Sequence, residues 1–173
     1  MSQAKQTQYW DSSVFCSFFN AHKEKERAKL VRQLLDEARV GALDIVTSTI
    51  ALVEVVKLDG ERRLPKEDED KIAAFFEYPF IHLIEVDRTL CEDARRLIWA
   101  HPALDPKDAI HLASAVFYSG KSTLNGLFSY DEHFTKLNGK LGAKFEITEP
   151  FLHQGLLHLP PAEPSGSDEA PAS

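Results

Sequence analysis

Cysteine, methionine and tryptophan are scarce in this 173-residue chain, at two, one and two residues. Cys16 and Cys91 lie far apart in apolar or amphipathic stretches. They exclude a disulfide framework and a Cys-rich zinc site, and they suit a reducing cytoplasm. An excess of positive charge is missing too. Lys and Arg number 20 against 27 Asp and Glu, a net charge of −7, which excludes coating of nucleic acid by bulk electrostatics; any RNA or DNA contact must be local. No run approaches the ~18 apolar residues of a membrane span, and the polar stretch from Met1 to Gln8 has no apolar export segment. We therefore expect a cytoplasmic chain without a membrane partner.

Hydrophobic residues make up 43% of the chain, enough for one buried core at this length. Composition changes after Pro150. Residues 151–173 carry Pro160, Pro161, Pro164 and Pro171 among Ala, Ser and Gly, the composition of a disordered tail. The tail's charges are Glu163, Asp168 and Glu169, which leaves −4 for a domain over residues 1–150.

In that domain short apolar runs alternate with helical patterns, the signature of an α/β fold with a central, mostly parallel sheet flanked by helices. Strands are predicted at Gln8 to Asp11, Asp44 to Thr47, Ile81 to Val86, Leu127 to Tyr130 and Lys144 to Thr148. A helix starts near Ser13. A second, from Glu24 to Val40, sets Ala28, Val31, Leu34, Leu35 and Ala38 on one face and stops at Gly41. The run after Thr47 is too long for one strand, so a buried helix capped by Ser48 or Thr49 is expected through Leu58. A charged crossing from Asp59 to Asp70 then leads to a helix ending near Glu77. Helices also follow Asp87, the Asp105-Pro106-Lys107 start and Asp131.

Four carboxylates sit where simple solvation is an awkward account. Asp11 and Asp131 follow strands, at the carboxyl ends where open α/β sheets bind ligands; as plain helix caps they would need no further role. Asp108 falls in the first turn of its helix, where it also complements the dipole, with Asp105 as cap. Glu54 is the only acid between Thr49 and Leu58, so it must be neutralised, paired with a base such as Lys57, or bound to a cation. Oxygen-only ligands suit Mg²⁺ or Mn²⁺, and such an ion implies phosphoryl transfer to water. An aspartyl phosphatase would place a second Asp two residues after Asp11, where Ser13 stands.

The segments Trp-Asp-Ser-Ser-Val around Asp11, Ser-Thr-Ile-Ala-Leu-Val-Glu-Val around Glu54, Asp-Ala-Ile-His-Leu-Ala-Ser-Ala from Asp108 and Phe-Ser-Tyr-Asp-Glu-His-Phe around Asp131 together resemble a PIN domain. The likeness runs from about Gln8 to Thr148 and is closest to the VapC-type toxin ribonucleases. It implies a PIN-like fold and a Mg²⁺- or Mn²⁺-dependent endoribonuclease cleaving RNA by in-line attack of metal-bound water. It also implies the toxin of a type II toxin–antitoxin pair, a cognate antitoxin protein and a homodimer. Asp11, Glu54, Asp108 and Asp131 would be its catalytic and metal-binding acids, with Ser12 and Ser129 as the matching hydroxyls. The alternative is a PIN-like module that binds RNA or protein without turnover. His111 and His133 are read as packing or hydrogen-bonding residues, and Trp10 and Tyr130 as core. The basic groups around Lys25, Arg27 and Lys29, at Arg95 and Arg96, and from Lys136 to Lys144 are read as solvated faces.

Overall fold

The structure is a computed structural model and describes residues 5–56 and 66–152. Five strands are ordered β3-β2-β1-β4-β5, every neighbouring pair parallel. They are β1 (Gln6–Trp10), β2 (Leu43–Ser48), β3 (Ile81–Ile84), β4 (Gly126–Phe128) and β5 (Ile147–Thr148). Between them run α1 (Ser12–Phe19), α2 (Lys25–Arg39), α3 (Ala51–Glu54), α4 (Lys66–Phe76), α5 (Arg88–Ala100), α6 (Pro106–Ser119) and α7 (Glu132–Thr135). The chain builds outward from β1 to β2 and β3, then returns to lay β4 on the other side of β1. The switch point of the sheet therefore lies between β1 and β4, where α/β sheets open a crevice at the carboxyl ends of their strands.

Both faces of the sheet are covered, so its strands are apolar nearly throughout. Alternation assigns the faces: Trp10, Ile45 and Phe128 point into one core, Tyr9, Val46 and Leu127 into the other. The first core is closed by α1, α2 and α4. Phe15 is fully buried there, with ring centroids 5.5 Å from Trp10, 6.1 Å from Phe75 and 5.1 Å from Phe76. The second is closed by α5 and α6 through Leu90, Ala94, Ala109 and Leu112. The apolar face expected of α2 is buried as a unit, and Gly41 follows the helix with φ +80°, a conformation that favours glycine.

Several element boundaries differ from expectation. β1 starts at Gln6, because backbone pairing with β2 and the Asn125 side chain, which accepts from Thr7 N at 2.7 Å, hold polar residues that hydropathy does not mark. β3, β4 and β5 are shorter than predicted. The segment after β2 is not a buried helix: α3 is a single turn, and Val53 is 75% exposed. Neither hydroxyl caps it. Ser48 ends β2, Thr49 Oγ1 accepts from Val86 N at 3.2 Å, and Ile50 at the cap position offers no acceptor. The second half of the charged crossing is helical from Lys66, its acids Glu67, Asp68 and Glu69 lying in the first turn where the helix dipole favours them. Lys57, Leu58, residues 59–65 and the Pro-rich tail from 153 lie outside the described residues. Phe151 packs on Phe128 with ring centroids 5.3 Å apart. Among the described residues no helix is long and apolar enough to cross a membrane.

The aromatic contacts of Phe15 predict that Phe15→Ala costs about 3–5 kcal/mol. Urea unfolding should show a lower midpoint at an unchanged slope.

Candidate active site

The carboxyl rim of β1 and β4 is knitted together by hydroxyls. Asp11 follows β1 directly and caps α1, its Oδ1 accepting from Ser13 N at 2.9 Å. Its Oδ2 accepts from the buried Ser129 Oγ at 2.6 Å, and Ser129 Oγ in turn accepts from Asp131 N at 3.0 Å. Ser13 Oγ donates to Asp11 and accepts from Tyr130 N at 2.8 Å. Asp131 caps α7 through His133 N at 2.7 Å. Capping and a role in the site are thus not alternatives here. The two oxygens of Asp11 serve separate partners, one within its own turn and one across the sheet.

Asp108 enters from α6, which Asp105 caps by accepting from Lys107 N at 2.9 Å. Asp108 and Asp131 line an open cavity of about 320 Å³ together with Ala103, Asp105, Lys107 and His133. Burial pushes the Asp108 carboxyl up to about 7, reinforced by the charges of Asp131, Asp11 and Asp105. Burial also raises Asp11, against the opposing effects of His111 and of hydrogen bonds from Ser129 and Ser13. Asp11, Asp108 and Asp131 are therefore one electrostatic cluster.

Glu54 is of a different kind. Its Oε2 accepts from Ser12 Oγ and from His111 Nε2, the latter at 2.9 Å, while Lys107 Nζ stands 3.0 Å from Oε1. Burial raises this carboxyl, but the hydrogen bonds of His111 and Ser12, the charge of His111 and the Lys107 contact outweigh it and bring it down to about 2. An ionised carboxylate only accepts, so Nε2 of His111 carries a hydrogen. The other ring nitrogen, Nδ1, is 2.9 Å from the Tyr9 hydroxyl. Burial raises the Tyr9 phenol, which keeps that hydroxyl protonated. A buried chain Tyr9–His111–Glu54 thus ties β1 and α6 to α3.

Oxygen donors that repel one another fit a hard divalent cation, which offsets their charge. Among the described residues no three His, Cys, Asp or Glu side chains are grouped closely enough to hold one ion. Sequence reasoning had not singled out Lys107 or Tyr9. The available signal for Lys107 was a cation between Asp105 and Asp108 in a helix first turn, where the dipole disfavours it. Of the basic groups, Arg27 reaches the rim, its guanidinium 4.5 Å over the Tyr130 ring. Trp10 and Tyr130 are both buried, as core residues.

Asp108 titrates near 7 in the fold and near 3.8 when unfolded. Stability is therefore lost as pH rises from about 4 through 7. Asp108→Asn removes that loss, so thermal melts should show the variant more stable than the parent at pH 8, on the order of 1–2 kcal/mol after screening at this half-buried position. The difference should vanish below about pH 4. Tyr9→Phe leaves His111 Nδ1 without its partner and should cost ~1–3 kcal/mol in the same measurement.

A family model described as PIN domain matches residues 9–140. A comparison with curated proteins finds no match. PIN domains are commonly nucleases acting on RNA or other nucleic acid, and they generally use divalent metals. The match spans most of the chain and takes in the end of β1, all of β4 and every acid of the site, and on that evidence the chain belongs to the PIN-domain family.

Proposed function

We propose that this chain is a Mg²⁺- or Mn²⁺-dependent endoribonuclease whose site is built on Asp11, Asp108 and Asp131, with Glu54 as a fourth acid and Ser12 and Ser129 as its supporting hydroxyls. The observation that carries this reading is the convergence of Asp108 and Asp131 on one open cavity, beside Asp11 at the switch point of the sheet. Asp11, Asp108 and Asp131 would hold a divalent cation, which when bound would supply Lewis acidity toward a phosphodiester and toward the attacking water. The chain's own groups do the rest. Ser13 and Ser129 fix both oxygens of Asp11, and Asp108, whose carboxyl burial and its acidic neighbours push up, would hold the cation together with Asp131. Asp131, held at the mouth of α7, shares the cavity with Asp108 and repels any phosphate not accompanied by a cation.

The finer reading, a cytoplasmic toxin held by a cognate antitoxin and acting as a homodimer, rests on the resemblance of the four acidic segments, that of Asp108 above all, to the VapC-type ribonucleases. Co-purification with a small protein encoded beside it would support that reading, and a stable, non-toxic lone protein would count against it. A second reading, an RNA- or protein-binding module without turnover, draws on Glu54 being engaged by Lys107 and His111.

Cleavage of RNA in Mg²⁺ or Mn²⁺ by Asp11→Asn and Asp108→Asn tests the site. Each variant should lose about 100-fold or more of the activity, and the parent should yield 5′-phosphate and 3′-hydroxyl ends. Full activity in both variants overturns the assignment. Cleavage that survives chelation marks contamination and leaves the binding module.

A further inference from the structure

Lys107 occupies an electrostatically poor place. It follows Pro106 in the first turn of α6, at the positive end of the helix dipole, where an anion is stabilised and a cation is not. Asp105 and Asp108 flank it in sequence. Among the described residues, however, the carboxylate within ion-pair distance of its Nζ is that of Glu54, at 3.0 Å. Glu54 is 15% exposed, whereas Lys107 is 63% exposed. The two oxygens of Glu54 are engaged unequally. Oε2 is held by Ser12 and His111, both buried, and Oε1 faces the flexible ammonium. The pair therefore has one fixed side and one exchangeable side. Lys107 also lines the cavity it shares with Asp108 and Asp131, so an ammonium leaving Glu54 remains within the site.

We propose that Lys107 is a positioning residue, the built-in counter-ion of Glu54, which a divalent cation displaces when it binds the acids. This rests on the metal-dependent reading above. An ammonium and a divalent ion compete for the same charge on Oε1, and the divalent ion has the larger Coulomb attraction. Lys107 thus holds Oε1 of Glu54 in place before the cation arrives, and it weakens the apparent affinity for that cation. The displaced ammonium, anchored one residue from Asp108, is then free to meet an RNA phosphate.

The test uses the full chain and two readouts besides cleavage. Mn²⁺ is titrated and its free fraction followed by electron paramagnetic resonance, in the parent and in Lys107→Met. The variant should bind about fivefold more tightly, the size of one partly exposed ion pair. In the unsubstituted chain, limited lysine acylation read by mass spectrometry should show Lys107 becoming severalfold more reactive at saturating Mg²⁺, with Lys25 and Lys29 unchanged as references. The acylation arm needs no variant, so it decides the matter even if Lys107→Met folds poorly. Unchanged Mn²⁺ affinity in a folded variant, or Lys107 reactivity indifferent to Mg²⁺, overturns the proposal while leaving the nuclease reading in place. A parent chain that binds no Mn²⁺ overturns both.

Discussion

Strand β1 is hydrogen-bonded along both edges, to β2 through Gln6 to Tyr9 and to β4 through Gln8 to Trp10. Everything at the site depends on that double pairing. Parallel neighbours bring their carboxyl ends to one rim, so the residues that follow β1, β2 and β4 all emerge together. Asp11, the turn that leads to Glu54, and the Ser129–Asp131 segment are neighbours for this reason, although 118 positions separate Asp11 from Ser129. The register is held at the rim itself, where Asp11 N donates to Phe128 O at 3.1 Å. Packing of Trp10 and Tyr9 into opposite cores fixes the end of the strand that Asp11 follows.

Two carboxylates near one rim are shifted in opposite directions by their neighbours. Both Asp108 and Glu54 lose solvation, which favours the neutral form. Around Asp108 the additional charges are mainly other carboxylates, so its proton is held more tightly. Around Glu54 stand an ammonium, an imidazole and a hydroxyl, and the carboxylate wins. The same rim therefore has an anionic half short of positive charge and a half that is already compensated. Helix α6 supplies both halves from a single turn: Lys107 and His111 serve Glu54, and Asp108 serves the cavity. Its side chains diverge because successive helical positions point about 100° apart.

Much of this was legible in the chain. Alternating apolar runs and helical patterns marked the parallel sheet, the face of α2 was visible at its spacing, and Asp11, Asp105 and Asp131 stand at the caps where residue preference puts them. The segment after β2 was not legible. Ile50 to Val56 is apolar enough for a buried helix, yet the Thr49 hydroxyl before it accepts from Val86 N instead of capping, and the helix stops after one turn. The polar start of β1 was missed for a related reason: its strand character comes from pairing partners distant in sequence, not from its own residues.

Local chemistry determined the acids, their caps and the helix that carries Asp108, because capping, periodicity and chain punctuation act over a few residues. Tertiary structure alone decided which base meets which acid. Among the described residues, the ammonium that reaches Glu54 comes from Lys107, 53 positions away, and its imidazole from His111 with Tyr9 behind. Electrostatic pairing depends on distance in space and on the water excluded from it. Both are set by how β1, α3 and α6 converge, and neither is written in the spacing of any one segment.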